Sequence, residues 1–195
     1  MRGFAQGRLG PRVLTLSDPR ILLDSIAGGG AGCTPSEVMD LSCDAGAVED
    51  NRFLPRPTGG TGVIEGNLEL RFRLGRSFEL VTFGDVGQVW SAAGDVSLGD
   101  LEFTPGAGVR FLSPVGPIRV DVGYRFRGAT ELPVITSRIA EAEPGLCTEA
   151  SVTTCIEYDG SFYVRSGDLG FLSTPVLFGD TGSRFQLHFS IGQAF

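Results

Sequence analysis

The sequence has no apolar run approaching the ~20 consecutive residues that a membrane-spanning helix needs, because a charge or a glycine interrupts every hydrophobic stretch. A helical membrane protein is therefore excluded, although strands that cross a membrane need only ~9–11 residues each and leave no such signature. Basic residues are in the minority, with 16 Lys+Arg against 23 Asp+Glu and a formal net charge of −7. No basic surface is available to neutralise phosphates, so no nucleic-acid partner is implied. Histidine is nearly absent, with His188 alone. It lies in no local Ser/Asp or Cys constellation, and the carboxylates are scattered, so the sequence offers no catalytic set. The opening Met1-Arg2-Gly3-Phe4 lacks the apolar core of a secretory signal. Either the protein stays in the cytoplasm or its true N-terminus lies upstream.

What the chain does have is 29 glycines, 14 phenylalanines and 42% hydrophobic residues, without a long Ala/Leu/Glu/Lys block. Strands and turns, and an all-β class, are the expectation. The four cysteines fall as two close pairs, Cys33 with Cys43 and Cys147 with Cys155, each in a polar segment containing Gly and Pro. Neither pair has zinc-ligand spacing or a nearby histidine. Two local disulfides, formed in an oxidising compartment, are one reading. Four free cytosolic thiols are the other.

Alternation with a period of two marks five strands. In the first, from Val63, Ile64, Gly66, Leu68, Leu70, Phe72 and Leu74 share one face, and Glu65, Asn67, Glu69, Arg71 and Arg73 the other. After a break at Gly75-Arg76-Ser77, the segment Phe78 to Trp90 is β-rich but less regular. Facing Asp85 inward there also turns Val81 and Phe83 inward and sends Leu80, Val86 and Trp90 outward. A third strand is expected near Leu101 to Leu112, a tight turn at Ser113-Pro114-Val115-Gly116-Pro117, and a fourth strand over Ile118 to Phe126. The last runs from Arg184 to Phe195, with Phe185, Leu187, Phe189 and Ile191 on one face. Two longer regions, about Gly7 to Gly60 and Gly128 to Ser183, read as irregular, and each holds one cysteine pair. Short turns on one side and long connections on the other suit an outer-membrane barrel. A soluble sheet that buries its apolar face is the competing architecture.

A series of motifs narrows the choice. Arg2-Gly3-Phe4 with Gly10-Pro11-Arg12 is followed by Leu68-Glu69-Leu70-Arg71-Phe72, Phe83-Gly84-Asp85-Val86-Gly87, Gly106-Ala107-Gly108-Val109-Arg110-Phe111, Ser113 to Asp121, and Phe189 to Phe195. In this order they resemble the C-terminal part of the barrel of the BamA/TamA outer-membrane assembly family, the bacterial surface antigen superfamily. The resemblance implies an antiparallel transmembrane β-barrel segment of about five strands, an incomplete part of a barrel of about sixteen. It divides the chain into a lumen-inserting extracellular loop at 1–60, strands at 61–127, a long extracellular loop at 128–183 and a terminal strand at 184–195.

The resemblance also implies roles. Arg2, with Gly3 and Phe4, is expected to fold into the lumen and meet Asp85 and Glu69. Phe185, Leu187, Phe189, Ile191 and the terminal Phe195 match the C-terminal signal of outer-membrane proteins, on a strand that closes a weak lateral seam. Cys33 with Cys43 matches a loop disulfide of some members. Met1 stands where the motif commonly has valine, which raises the expectation of a reading frame that continues upstream.

The function implied is outer-membrane protein insertion by strand pairing at the seam, without a cofactor, metal or catalytic step. Its partners are membrane lipid, unfolded outer-membrane clients, and periplasmic or lipoprotein accessory subunits recruited through a region outside this chain. A passive translocation pore, or a gene fragment without function, are the alternatives.

Overall fold

The computed structural model describes residues 1–4, 8–23, 30–114, 116–126, 128–147, 154–179 and 184–192. Its strands are β1 (Arg12–Thr15), β2 (Leu54–Pro57), β3 (Gly62–Leu74), β4 (Phe78–Trp90), β5 (Glu102–Ser113), β6 (Gly116–Tyr124), β7 (Thr130–Leu132), β8 (Val134–Glu141), β9 (Cys155–Tyr158), β10 (Ser161–Phe171), β11 (Val176–Phe178) and β12 (Phe185–Ile191). The one described α-helix, α1 (Pro35–Met39), is a single short turn. The chain divides into two compact units, Met1–Pro11 with Pro57–Arg127 and Gly182–Phe195, and Arg12–Arg56 with Gly128–Thr181.

The first unit is an antiparallel sheet of five strands in the order β12-β6-β5-β4-β3. Its register is unbroken from Gly62↔Trp90 to Leu74↔Phe78 between β3 and β4. The connections alternate in length as expected: Gly75, at φ 77°, opens the turn into β4, and Ser113 faces Gly116 across the next turn. At the opposite end, residues 91–101 join β4 to β5, and the second unit is formed by residues 12–56, which precede β3, and 128–181, which lie between β6 and β12.

The burial of this sheet is the reverse of a soluble one. Asp85 is 2% exposed, Arg110 3% and Asp121 6%, whereas Leu68 is 71% exposed and Phe189 63%. A sheet that hides its charges and presents Leu, Phe and Val outward matches lipid on one side and a polar lumen on the other. The soluble architecture is thereby ruled out. Asp85, Val81 and Phe83 all face inward, but Trp90, expected outward, is only 7% exposed. It ends β4, where the chain leaves the sheet, so alternation no longer decides its surroundings. Each of the edge strands β3 and β12 has one neighbour among the described residues. Unpaired backbone in hydrocarbon costs several kcal/mol per group, so this is an incomplete barrel.

The second unit corrects the expectation of irregular segments. It contains a mixed sheet in the order β2-β1-β8-β10-β9 and a small β11-β7 pair. Its own apolar core includes Leu14, Leu22, Val38, Phe53, Val134, Ile139, Ile156 and Phe178. Helix α1 starts from a capping box: Thr34 accepts from the Glu37 amide, and Glu37 accepts from the Thr34 amide and hydroxyl. Those bonds hold the Glu37 carboxyl below its ordinary range. Asp159 and Gly160, at φ 46° and 75°, form the two-residue turn between β9 and β10. Both prolines of β2 lack amide donors, which suits an edge strand. Cys33 is bonded to Cys43 and Cys147 to Cys155, so the disulfide reading holds and free thiols do not.

Candidate functional site: an arginine held on the inner face

Residues 1–4 lie against the charged face of the first unit, and Arg2 is the centre of their contacts. Asp85, on β4, receives three of its donors: the backbone N–H at 2.7 Å, Nε at 3.1 Å and Nη2 at 2.8 Å. The remaining prong, Nη1, donates to Glu69 Oε2 on β3 at 2.9 Å. Glu69 is shared, because Arg110 on β5 donates to the same oxygen at 2.7 Å and Arg71 Nε to the other at 2.5 Å. Asp121 Oδ2, on β6, stands 3.6 Å from Arg2 Nη1 and 3.9 Å from Arg110 Nη2. Beneath the guanidinium lies the Phe83 ring, 3.5 Å from Cζ to the ring centroid. Two further arginines and three carboxylates thus gather around the one planar fork of Arg2.

This arrangement follows from register. Glu69 pairs with Phe83, Asn67 with Asp85, and Asp85 in turn with Thr104, so one face of adjacent strands delivers the carboxylates side by side. Arginine suits the position because its fork is planar, always charged and able to bond two carboxylates at once. Every basic residue of the chain is in fact arginine.

The backbone approaches as closely as glycine allows. A Cβ on Gly3 would stand 2.7 Å from Thr104 Cβ, and one on Gly123 of β6 would stand 2.9 Å from the Arg2 carbonyl oxygen. Phe4 completes the motif, its ring 5.1 Å from Arg125 Cζ. The terminal ammonium of Met1 pairs with Glu65 at 2.8 Å. Gly3→Ala is expected to push the segment off the sheet at a cost of about 2 kcal/mol. Adding Thr104→Gly should restore most of the loss, read as the rate at which trypsin cuts at Arg8. Equal rates in wild type and Gly3→Ala would show that the segment is not packed on Thr104.

The structure therefore brings together Arg2, Gly3, Phe4, Glu69 and Asp85. Arg71, Phe83, Thr104, Arg110 and Asp121 belong to the same cluster and were not singled out by sequence reasoning. Their signal is parity: Arg71 shares its face with Glu69, and Arg110 and Asp121 lie opposite the apolar positions of their own strands. Phe185, Leu187, Phe189 and Ile191 are not part of it. They lie on the outward face of β12 and are 60–63% exposed. Phe195 falls outside the described residues, and the four cysteines belong to the second unit. His188 pairs in register with Asp121.

A family model described as the Omp85 superfamily domain matches residues 1–195. The chain belongs to the Omp85 superfamily. No curated protein and no solved structure matches it. Omp85 proteins insert or translocate proteins at the outer membrane of Gram-negative bacteria and act without enzymatic chemistry. In this Omp85 chain Arg2 holds residues 1–4 against the inner face of an antiparallel sheet whose outer face is apolar.

Proposed function

We propose that this Omp85 chain is the C-terminal barrel segment of an outer-membrane protein assembly factor, and that it works by pairing the free edge of β12 with an incoming client strand. The observation that carries the reading is β12 itself. It is bonded to β6 from Phe185↔Tyr124 to Ile191↔Ile118, its outward face is apolar, and the chain matches the Omp85 superfamily domain, whose members insert or translocate outer-membrane proteins. An open edge backed by an apolar face accepts a strand through main-chain bonds whatever the client's sequence, with side-chain pockets adding selectivity.

In this reading the segments 1–60 and 128–183 are extracellular loops, and their disulfides form in the oxidising space outside the inner membrane. Arg2 pins the first loop to the lumen wall. Clients are unfolded outer-membrane proteins, and accessory subunits are recruited elsewhere in the protein. The test is to reconstitute the full-length protein in lipid vesicles and follow folding of an unfolded barrel client by its heat-dependent gel shift. Accelerated folding, with a cross-link from a cysteine placed at Ser190 to the client's last strand, is expected. A steady open conductance without acceleration would overturn the reading in favour of a translocation pore.

A further inference from the structure

The inner face of the β3–β12 sheet is divided by charge along the strands. Toward the long connections, the buried carboxylate Asp85 is occupied by Arg2. Toward the short turns the register lines up Arg73, Glu79, Arg110, Arg119 and Ser190 across five successive strands. Arg76 lies in the adjoining turn.

Only part of this positive charge is compensated. Arg73 has Glu79 at 3.4 Å, and Arg110 has Glu69 at 2.7 Å. Arg119 stands directly opposite Arg110, and its Nε is buried with no hydrogen-bond partner among the described residues. Like charges directly opposed across a sheet destabilise it. Among the described residues no carboxylate is hydrogen-bonded to Arg119 Nε, and the Oδ1 of Asp121, two residues along β6, has no hydrogen-bond partner either. The group that fits is planar and can accept two parallel N–H bonds.

We propose that this arginine row is a docking patch for an acidic stretch of extended polypeptide, with Arg119 as the residue that receives its carboxylate. The proposal deepens the assembly reading: the occupant is a carboxylate-bearing segment of a client that arrives from the turn side of the barrel. Positive charge there raises the encounter rate with acidic segments and loses its effect as salt rises.

The experiment uses the full-length protein in vesicles and a fluorescent extended peptide rich in Asp and Glu, compared by anisotropy with the same peptide carrying Asn and Gln. The acidic peptide is expected to bind about 10-fold or more tightly than its amide counterpart, with an affinity that falls as salt is raised. Arg119→Gln should remove most of that preference. Ser190→Glu, which places a carboxylate opposite Arg119 within the protein, should do the same by occupying it. Heat-dependent gel mobility of both variants should remain that of the wild type, because neither change breaks a bond in the Arg2 cluster. Equal binding of the two peptides, or a preference untouched in both variants, would overturn the proposal. Displacement by inorganic phosphate at the peptide's own concentration would do so too, leaving a simple anion site. Folding of a client without acidic stretches is accelerated in either case, so the loss of that acceleration marks failure of the assembly reading instead.

Discussion

Asp85→Ala is expected to release the Arg2 segment from the inner face. Asp85 is 2% exposed and accepts from the backbone N–H, Nε and Nη2 of Arg2. Removing it strands a guanidinium between Glu69, at 2.9 Å, and Asp121, at 3.6 Å, neither of which can reach all three donors. Deleting one partner of such a buried pair costs about 3–5 kcal/mol, most of it the penalty for the charge left behind. Each 1.4 kcal/mol is a factor of about ten, so the released population should rise by about 100-fold or more. Trypsin cleavage at Arg8 and Arg12 measures that population directly in the vesicle-bound protein. Asp85→Glu should recover little, since the longer side chain has to bend to offer the same two oxygens at the same place. If Asp85→Ala leaves the cleavage rate unchanged, the segment is held by its backbone packing against Gly123 and Thr104 and the arginine is incidental. If cleavage rises and client folding is lost with it, the pinned segment is part of the working state.

The second large effect lies in the second unit. Replacing Cys33 and Cys43 together by alanine should lower its stability by about 3 kcal/mol, from the freedom regained by the unfolded loop. Cys33 is 5% exposed, Cys43 1%, and both are packed in the apolar core with Leu14, Leu22 and Val38. Cutting at Arg52 and Arg56 is expected to accelerate by about 100-fold. Cys147 with Cys155 joins the start of edge strand β9 to the segment before it, outside that core. Its loss should therefore matter less. Equal resistance of wild type and Cys33→Ala/Cys43→Ala to protease would mean that the core alone holds the unit.

Much of the first unit was legible because its chemistry repeats every second residue. Leu68, Leu70, Phe72 and Leu74 alternate with Glu69, Arg71 and Arg73, and a fixed period states both the strand and its facing. The pairing of Arg2 with Asp85 and Glu69 rested on resemblance, with strand parity agreeing. Arg110 and Asp121 could have been added by carrying the register across two more strands. The second unit was not legible in the same way. Its strands are mostly three or four residues long, too short for a period to show, and β1 finds its neighbour far along the chain. One local signal was available: Asp159-Gly160, flanked by Ile156, Tyr158, Phe162 and Val164, is a hairpin signature. Trp90 failed for the opposite reason, since alternation describes a residue's direction within a sheet and says little at its last position.

The parallel pairing of β1 with β8 sets Leu14 beside Val134 and Thr15 beside Ile135. These partners are 120 residues apart (134 − 14), while each disulfide closes a loop of only 10 or 8 residues. Short loops close quickly and long ones slowly. During folding the Cys33–Cys43 loop of the second unit can therefore close before β1 is paired, because β1 has to wait for β8, which lies beyond β3 to β6 in the chain. The β1–β8 junction is a late event by necessity, and it joins the segment that follows Arg2 to the segment that leads into β12. A chain cut before residue 134 has every carboxylate of the Arg2 cluster but lacks β8, so its β1 has no parallel partner.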